Sequence, residues 1–241
     1  MSKNGKAVAI LGSKGGVGTT TIAANLAATL AHEQQQQVLV IDLNLFLGDV
    51  GLHLGLEKEP TVMQFLNGHA TTETISTIPR HRTGFSVLGL ASDLSDADDV
   101  SAERVVLLMD QMREHFDVVV VDCGTDLNEV SLTACRYADA RIIVMTEQRP
   151  ALLGAKRRLG VLQKLDIPGH TALGVINRAH PESAIAPAQV ESAVGMPIIA
   201  RIRNAWQENQ AALAAQRLLI EHCPGAGVTR DFTQIVRHMR Y

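Results

Sequence analysis

Cysteine is scarce in this chain, and the few cysteines follow no recognised spacing. The 241 residues contain three of them, Cys123, Cys135 and Cys223, and no C-x-x-C pair. Neither a disulfide framework nor a cysteine zinc site is therefore indicated. The nine histidines also lack the spacing of metal ligands, so we expect no metal centre built on histidine or cysteine.

Long apolar segments are missing as well. The sequence has no signal-peptide pattern and no run of about 18 apolar residues, which predicts a cytoplasmic protein. A helical pattern over 231–241 places four apolar residues on one face: Phe232, Ile235, Val236 and Met239. Such a stripe either packs on the core or lies on a membrane. Because few cationic side chains flank it, we predict core packing.

Positive charge is not concentrated anywhere in the sequence. The net charge is −3, and the densest basic cluster is 156–158. A DNA-binding protein needs an extended cationic surface to neutralise several phosphates, so the sequence argues against a nucleic-acid partner. The argument would fail if five arginines converged in the folded chain: Arg157, Arg158, Arg201, Arg203 and Arg217.

A glycine-rich loop stands between the apolar run 7–11 and a helical pattern over 20–31. It reads Gly12-Ser13-Lys14-Gly15-Gly16-Val17-Gly18-Thr19-Thr20-Thr21. Strand, loop and helix in this order are typical of a P-loop, in which backbone N–H groups and the helix N-terminus surround phosphate oxygens. We predict that residues 13–21 bind nucleotide phosphates. The alternative is a strand-to-helix turn without a ligand.

The loop departs from the P-loop consensus G-x-x-x-x-G-K-[ST] at two positions. Ser13 stands at the first glycine, and Thr19 stands where the lysine belongs. Thr20 keeps the hydroxyl that binds Mg²⁺. The motif therefore retains its backbone cradle but lacks its usual cation.

Two apolar runs that end in aspartate accompany the loop. They are 38–42, which ends in Asp42, and 117–122, which ends in Asp122 with the form of a Walker B strand. Carboxylates at the carboxyl ends of parallel strands lie at the ligand crevice of an open sheet. We therefore predict Thr20, Asp42 and Asp122 as Mg²⁺ ligands, partly through water.

The order Lys14-Gly15-Gly16-Val17-Gly18-x-Thr20-Thr21 resembles the deviant Walker A motif of the MinD/ParA family of dimerising ATPases. The family pattern covers nearly the whole chain, and segments 42–49 and 52–56 are most similar to the CpaE/TadZ branch, whose members localise and assemble Flp-type pilus machinery. This resemblance implies a homodimer that binds ATP or ADP with Mg²⁺, in which Lys14 reaches the partner's phosphates. It also implies a location at a cell pole or at the inner face of the membrane.

The chain departs from the family at the second strand as well. It reads Asp42-Leu43-Asn44 where the family usually has Asp-x-Asp, and Asn44 cannot accept a proton as a carboxylate does. Catalysis of phosphoryl transfer depends on charge compensation and on positioning of the attacking water. Thr19 and Asn44 therefore predict nucleotide binding with slow or undetectable hydrolysis. Asp49 is a candidate to replace the missing water-positioning carboxylate.

Base recognition depends on a later strand. The run 171–178 ends in Asn177 and Arg178. The resemblance implies that Asn177 reads the adenine edge, with Arg178 beside it, although asparagine at a strand end is also a common turn residue. The run 197–202 and the segment that follows it are expected to form the other wall of the base pocket.

Alternating strand and helix patterns predict one α/β domain over 1–241. We expect a doubly wound, mostly parallel P-loop sheet of about 7–8 strands with helices on both faces. The predicted strands are 7–11, 37–42, 84–90, 118–121, 141–146, 171–177 and 197–202. Because only residues 1–6 precede the first strand, we expect no receiver-like domain of the kind common in CpaE relatives.

Three functional classes remain. The first is a nucleotide-dependent dimeric scaffold or positioning protein with weak or absent ATPase activity. The second is an active MinD/ParA-type ATPase in division-site, flagellar or DNA positioning, sustained by Lys14. The third is a nucleotide-free interaction module. We predict the first, with pilus or secretion machinery proteins as partners and with any membrane association made through those partners.

Overall fold

The computed structural model describes residues 4–44, 50–56, 61–66, 70–89, 100–180 and 185–239. Within these ranges the strands are β1 Lys6–Gly12, β2 Val38–Asp42, β3 Ser86–Leu88, β4 Val118–Asp122, β5 Ala140–Met145, β6 Ala172–Ala179 and β7 Ile198–Arg203. The helices are α1 Thr19–Glu33, α2 Val50–Leu54, α3 Val62–Phe65, α4 Thr72–Ser76, α5 Ala102–His115, α6 Glu129–Tyr137, α7 Arg149–Lys164, α8 Pro187–Val194, α9 Trp206–Ala214, α10 Leu219–His222 and α11 Gly227–His238.

The seven described strands form one sheet in the order β3-β2-β4-β1-β5-β6-β7, and every neighbouring pair is parallel. Helices cover both faces of the sheet. This confirms the predicted doubly wound α/β fold. The chain reverses its direction of winding at β1, which lies between β4 and β5, and ligand crevices form at such switch points.

Sheet register brings the predicted acidic residues together. Asp42 of β2 and Ile10 of β1 both lie opposite Asp122 of β4. The strands are buried on both faces, as the continuous Val- and Ile-rich runs predicted. The carboxyl ends of β1, β2 and β4 therefore lie side by side at the same edge of the sheet.

Strand β6 continues beyond its predicted end. The sequence predicted a strand over 171–177, but β6 runs on to Ala179 through a register shift against β7 between Ile176 and Ala179. Arg178 takes a φ of +53° in this irregular stretch. The bulge thus keeps Asn177 inside the strand.

The carboxyl-terminal helix packs on the core, which confirms the prediction made from its apolar stripe. Phe232, Ile235 and Val236 of α11 are fully buried or nearly so. At the start of the stripe, Asp231 accepts hydrogen bonds from the Arg203 backbone N–H at 3.0 Å and from its Nε at 2.7 Å. None of the described helices is long and apolar enough to span a bilayer.

The buried imidazole of His81 predicts a pH dependence of stability. The side chain is 4% exposed, with Nδ1 2.8 Å from Thr83 Oγ1 and Nε2 3.9 Å from Glu221 Oε2. Burial lowers the pKa of His81 below its usual 6.5; Glu221 opposes this shift and Arg82 adds to it. Because the unfolded chain then binds the proton more tightly, the free energy of unfolding should decrease as the pH falls through about 6.5.

This loss of stability should stop growing once the pH is below the folded-state pKa of His81. Urea unfolding between about pH 5 and pH 8 measures it. His81→Gln should remove the slope in this range, whereas Glu221, whose pKa is also lowered, contributes at more acidic pH. The same slope in the parent and in the variant would contradict the assignment to His81.

Candidate functional site

The glycine-rich loop between β1 and α1 has one open face and one packed face. Gly16 and Gly18 adopt φ values of +75° and +91°, a region that residues with a Cβ rarely enter. A Cβ added at Gly15 or Gly16 would have no atom within 4 Å, whereas one at Gly18 would lie 2.4 Å from Asn177 Nδ2. The Gly15–Gly16 stretch is therefore free to accept a ligand.

The first turn of α1 is suited to an anion. Gly18 provides no side-chain cap, and no acidic residue stands in the first turn, so these N–H groups have no side-chain acceptor of the usual kind. The buried Ser13 Oγ also has no hydrogen-bond partner among the described residues. Backbone donors at a helix N-terminus bind phosphate readily. The loop thus fits the phosphate chain that its sequence predicted.

Thr20 and Asp122 meet at the mouth of this loop. Thr20 Oγ1 donates a hydrogen bond of 2.6 Å to Asp122 Oδ2, and the other carboxylate oxygen accepts from Gly124 N at 3.0 Å. Asp122 is fully buried. A hydroxyl and a carboxylate oxygen are ligands suited to Mg²⁺, so the pair fits the predicted metal site.

Asp42 makes different contacts from Asp122. Its Oδ1 accepts from Asn44 N at 3.0 Å and its Oδ2 from Val50 N at 3.2 Å. The carboxylate therefore orders the chain on both sides of residues 45–49, and its role as a metal ligand stays a prediction. Asn44 lies against the backbone of Gly124, where an added Cβ would be 2.7 Å from Asn44 Cγ. Asp49 lies outside the described residues.

The residue at the consensus lysine position points inward. Thr19 is 7% exposed, and its Oγ1 lies 2.4 Å from the position of a Cβ on Gly12. The threonine hydroxyl therefore packs against β1 and supplies no cation to the loop.

Lys14, the lysine early in the loop, lies on another side of it. Its Nζ donates to the carbonyl of Gly15 at 3.2 Å, and its side chain lines a cavity of about 290 Å³ with Glu147 and His180. An adjoining cleft of about 330 Å³, which shares Gly16 and Arg178 with this cavity, has Thr20, Thr21 and Asn44 among its lining residues. Within the described part of the chain, Lys14 is thus displaced from the cleft that contains the Thr20 hydroxyl.

The Asn177 amide already has two partners. Its Nδ2 donates to the carbonyl of Val17 at 2.8 Å, and its Oδ1 accepts from Arg178 N at 2.9 Å. The side chain therefore ties β6 to the P-loop, while its predicted contact with adenine stays a prediction. Arg178 stacks on Trp206, with its guanidinium carbon 4.6 Å from the ring centroid.

Sequence reasoning missed Trp206 as a residue of the site. Its side chain is 48% exposed and borders the same cleft as Thr20 and Gly18. Two signals could have identified it: it is the only tryptophan of the chain, and it comes shortly after β7, in the segment predicted as the second wall of the base pocket.

Three of the five arginines that might have formed a cationic surface have internal partners. Arg201 pairs with Glu147, and Arg203 pairs with Asp231 at 2.7 Å. Arg158 donates to the backbone carbonyls of Ser13 and Thr125. Each of these guanidinium groups therefore has part of its hydrogen-bonding capacity taken up inside the described part of the chain.

Comparison with known proteins agrees with this geometry. Residues 5–167 match the model of the AAA domain family AAA_31. The MinD septum site-determining protein of Synechocystis sp. is 32% identical over 177 residues, which are 73% of this chain and 65% of that protein. The chain thus spans somewhat less than two thirds of this relative.

Solved structures share the whole fold. The structure of a ParA family ATPase from Chlorobium tepidum has a TM-score of 0.90 at 22% identity, over 97% of this chain and 99% of that one. MinD from Pyrococcus horikoshii, solved with Mg-ADP, has a TM-score of 0.82 at 21% identity, over 98% and 96% of the two chains. With a P-loop, a Walker B aspartate and a family match over more than half of its length, the chain belongs to the AAA_31 family of AAA domains.

Proposed function

We propose that this chain is a nucleotide-dependent positioning protein of the MinD/ParA type, which binds ATP or ADP with Mg²⁺ at the P-loop. One observation carries the proposal: the uncapped first turn of α1, the open glycines and Thr20, whose hydroxyl is bonded to the buried Asp122, share a single cleft of about 330 Å³. The Mg-ADP complex of the related P. horikoshii MinD supports the choice of ligand.

The residues of the cleft have separable roles in this proposal. The N–H groups of the loop and of the first turn of α1 hold the phosphate chain. Thr20 and Asp122 hold Mg²⁺, which when bound neutralises phosphate charge. Asn177 fixes Val17 and so keeps the loop in shape. Arg178 and Trp206 border the cleft and provide a flat surface for a base.

The proposal also includes slow hydrolysis of the bound nucleotide. Thr19 packs against Gly12 and brings no cation, and Asn44 offers an amide in place of a carboxylate. The alternative, an active ATPase in division-site, flagellar or DNA positioning, fits the family at least as well, and Lys14 favours it as the remaining cation of the loop. The assignment to pilus assembly rests on the resemblance of segments 42–49 and 52–56.

Calorimetry with ATP and ADP, with and without Mg²⁺, tests the proposal. Binding at micromolar concentrations in Mg²⁺ is expected, and no binding would leave a nucleotide-free interaction module. The same protein is then assayed for phosphate release. Negligible release supports the scaffold, whereas brisk release that membranes or DNA stimulate would select the active ATPase.

Lys14→Ala tests whether the nucleotide supports a dimer. Because Lys14 lines the adjoining cavity and not the cleft that contains Thr20, we expect its ammonium to act on a second subunit. The variant should weaken ATP-dependent dimerisation by roughly tenfold or more, as measured by analytical ultracentrifugation, with no change in the urea midpoint of the monomer. Lys156→Ala, which removes an exposed lysine of α7, is the control. Dimerisation of Lys14→Ala as tight as that of the parent would refute this role.

A further inference from the structure

We propose that Arg158 is a positioning residue of the nucleotide site. Its guanidinium bridges two backbone carbonyls, that of Ser13 in the P-loop and that of Thr125 in the segment after β4. The bridge holds the phosphate side and the metal side of the cleft at a fixed separation. This inference rests on the proposed function and deepens it.

Helix α7 approaches the P-loop backbone directly. A Cβ added at Gly154 would lie 2.2 Å from the Ser13 carbonyl oxygen, so only glycine allows this contact. Arg158 stands one helical turn further on the same face. From there Nη2 reaches the Thr125 carbonyl at 2.7 Å while Nη1 donates to Ser13. The close packing at Gly154 is thus what brings the guanidinium between the two segments.

The two bridged segments contribute different parts of the cleft. Ser13 begins the phosphate loop, and its N–H is bonded to the carbonyl of Val144 in β5 at 2.7 Å. Thr125 lines the cleft next to Gly124, whose N–H bonds Asp122. One direct backbone bond already joins the segments, from Gly12 N to Gly124 O at 2.8 Å. Arg158 adds a second connection beyond it and so fixes the orientation of Thr125.

The charge of Arg158 is also placed unusually. Burial lowers the pKa of its guanidinium, and Asp126 partly opposes this effect. Nε has no hydrogen-bond partner among the described residues. The consensus lysine of this loop is replaced by Thr19, and Arg158 places a partly buried positive charge against the loop instead. Because solvent screens a partly buried charge less than an exposed one, the electrostatic effect of Arg158 on the loop is stronger than that of a surface arginine.

Three variants distinguish the effect of the two hydrogen bonds of Arg158 from the effect of its positive charge and from a general loss of stability. Arg158→Met removes both the charge and the two donors. Arg158→Lys keeps the charge, but its single nitrogen cannot span the carbonyls as a planar guanidinium does. Arg157→Met makes the same change in net charge at the neighbouring exposed position of α7.

Two measurements on the full chain decide the proposal. Without nucleotide, hydrogen exchange of peptides that cover 123–128 should become faster in Arg158→Met and Arg158→Lys but not in Arg157→Met. With Mg²⁺ and ADP, calorimetry at a temperature where all variants are folded should show affinity about tenfold weaker in Arg158→Met and about threefold weaker in Arg158→Lys. Arg157→Met should match the parent.

The outcomes are distinct. Unchanged exchange in Arg158→Met, or full restoration of affinity by lysine, would overturn the bridge. An Arg158→Met protein that unfolds at lower urea concentration but binds ADP like the parent would show a purely structural arginine and overturn the positioning role. If the parent itself does not bind nucleotide, both the proposed function and the positioning role of Arg158 are refuted. The hydrogen-exchange measurement still decides whether the bridge exists.

Discussion

Replacing Gly154 by alanine should lower the free energy of unfolding by about 2 kcal/mol, although alanine is the better helix former. The added methyl group would lie 2.2 Å from the Ser13 carbonyl oxygen and 3.1 Å from its carbonyl carbon. Both are backbone atoms, so no side chain can rotate away to make room. Either α7 or the P-loop must shift, and the Arg158 bridge to Ser13 should be lost with the shift.

Gly160→Ala is the matched control on the same helix. A Cβ at Gly160 would have no atom within 4 Å. The substitution should therefore raise the free energy of unfolding by about 0.5–1 kcal/mol through helix propensity alone. Urea unfolding of both variants measures the two effects, which have opposite signs although the chemical change is identical. A Gly154→Ala protein as stable as the parent would show that the contact with Ser13 is looser than described.

Asp122→Asn should weaken Mg²⁺-dependent nucleotide binding by about 100-fold, because a charged metal ligand is worth several kcal/mol. The change is nearly isosteric, and the amide oxygen can still accept the hydrogen bond from Gly124. Although Asp122 is fully buried, the fold should therefore tolerate the substitution. In EDTA, the parent and the variant should bind nucleotide with similar affinity, since only the metal contact is affected.

Asp117→Asn provides the control for this charge change. Asp117 directly precedes β4, at the opposite end from Asp122, and its carboxylate accepts from Gln37 N at 2.8 Å. Calorimetric titration with ADP at several Mg²⁺ concentrations compares the variants. Equal Mg²⁺ dependence in Asp122→Asn and in the parent would remove Asp122 from the metal site and leave phosphate binding to the loop alone.

The substitutions at Thr19 and Asn44 have different structural consequences. Thr19 fills space against Gly12, so restoring lysine there would require the side chain to leave a packed position. Asn44 lies at the cleft against Gly124, where a carboxylate of the same shape would fit. Of the two departures from the motif, the one at Asn44 is therefore the easier to reverse without repacking.

Much of the site could be predicted from sequence because its signals are local. Closely spaced glycines after an apolar run specify the P-loop, and four apolar residues before Asp122 specify a buried strand that ends at the sheet edge. The partners of Asn177 and the place of Trp206 could not be predicted in this way. They depend on a bulge in β6 and on the path of the chain after β7, which no local pattern encodes.

By itself, the sequence determined the parallel α/β architecture, the glycine-rich loop and the aspartate at the end of β4 that Thr20 contacts, since periodicity and backbone chemistry act within a few residues. Only the tertiary structure decided which residue of the basic cluster contacts the P-loop. Arg157 and Arg158 are neighbours in one basic cluster, yet one is exposed and the other bonds Ser13 and Thr125. The reason is geometric: the contact of Gly154 with the P-loop sets the rotation of α7, and that rotation turns only Arg158 inward.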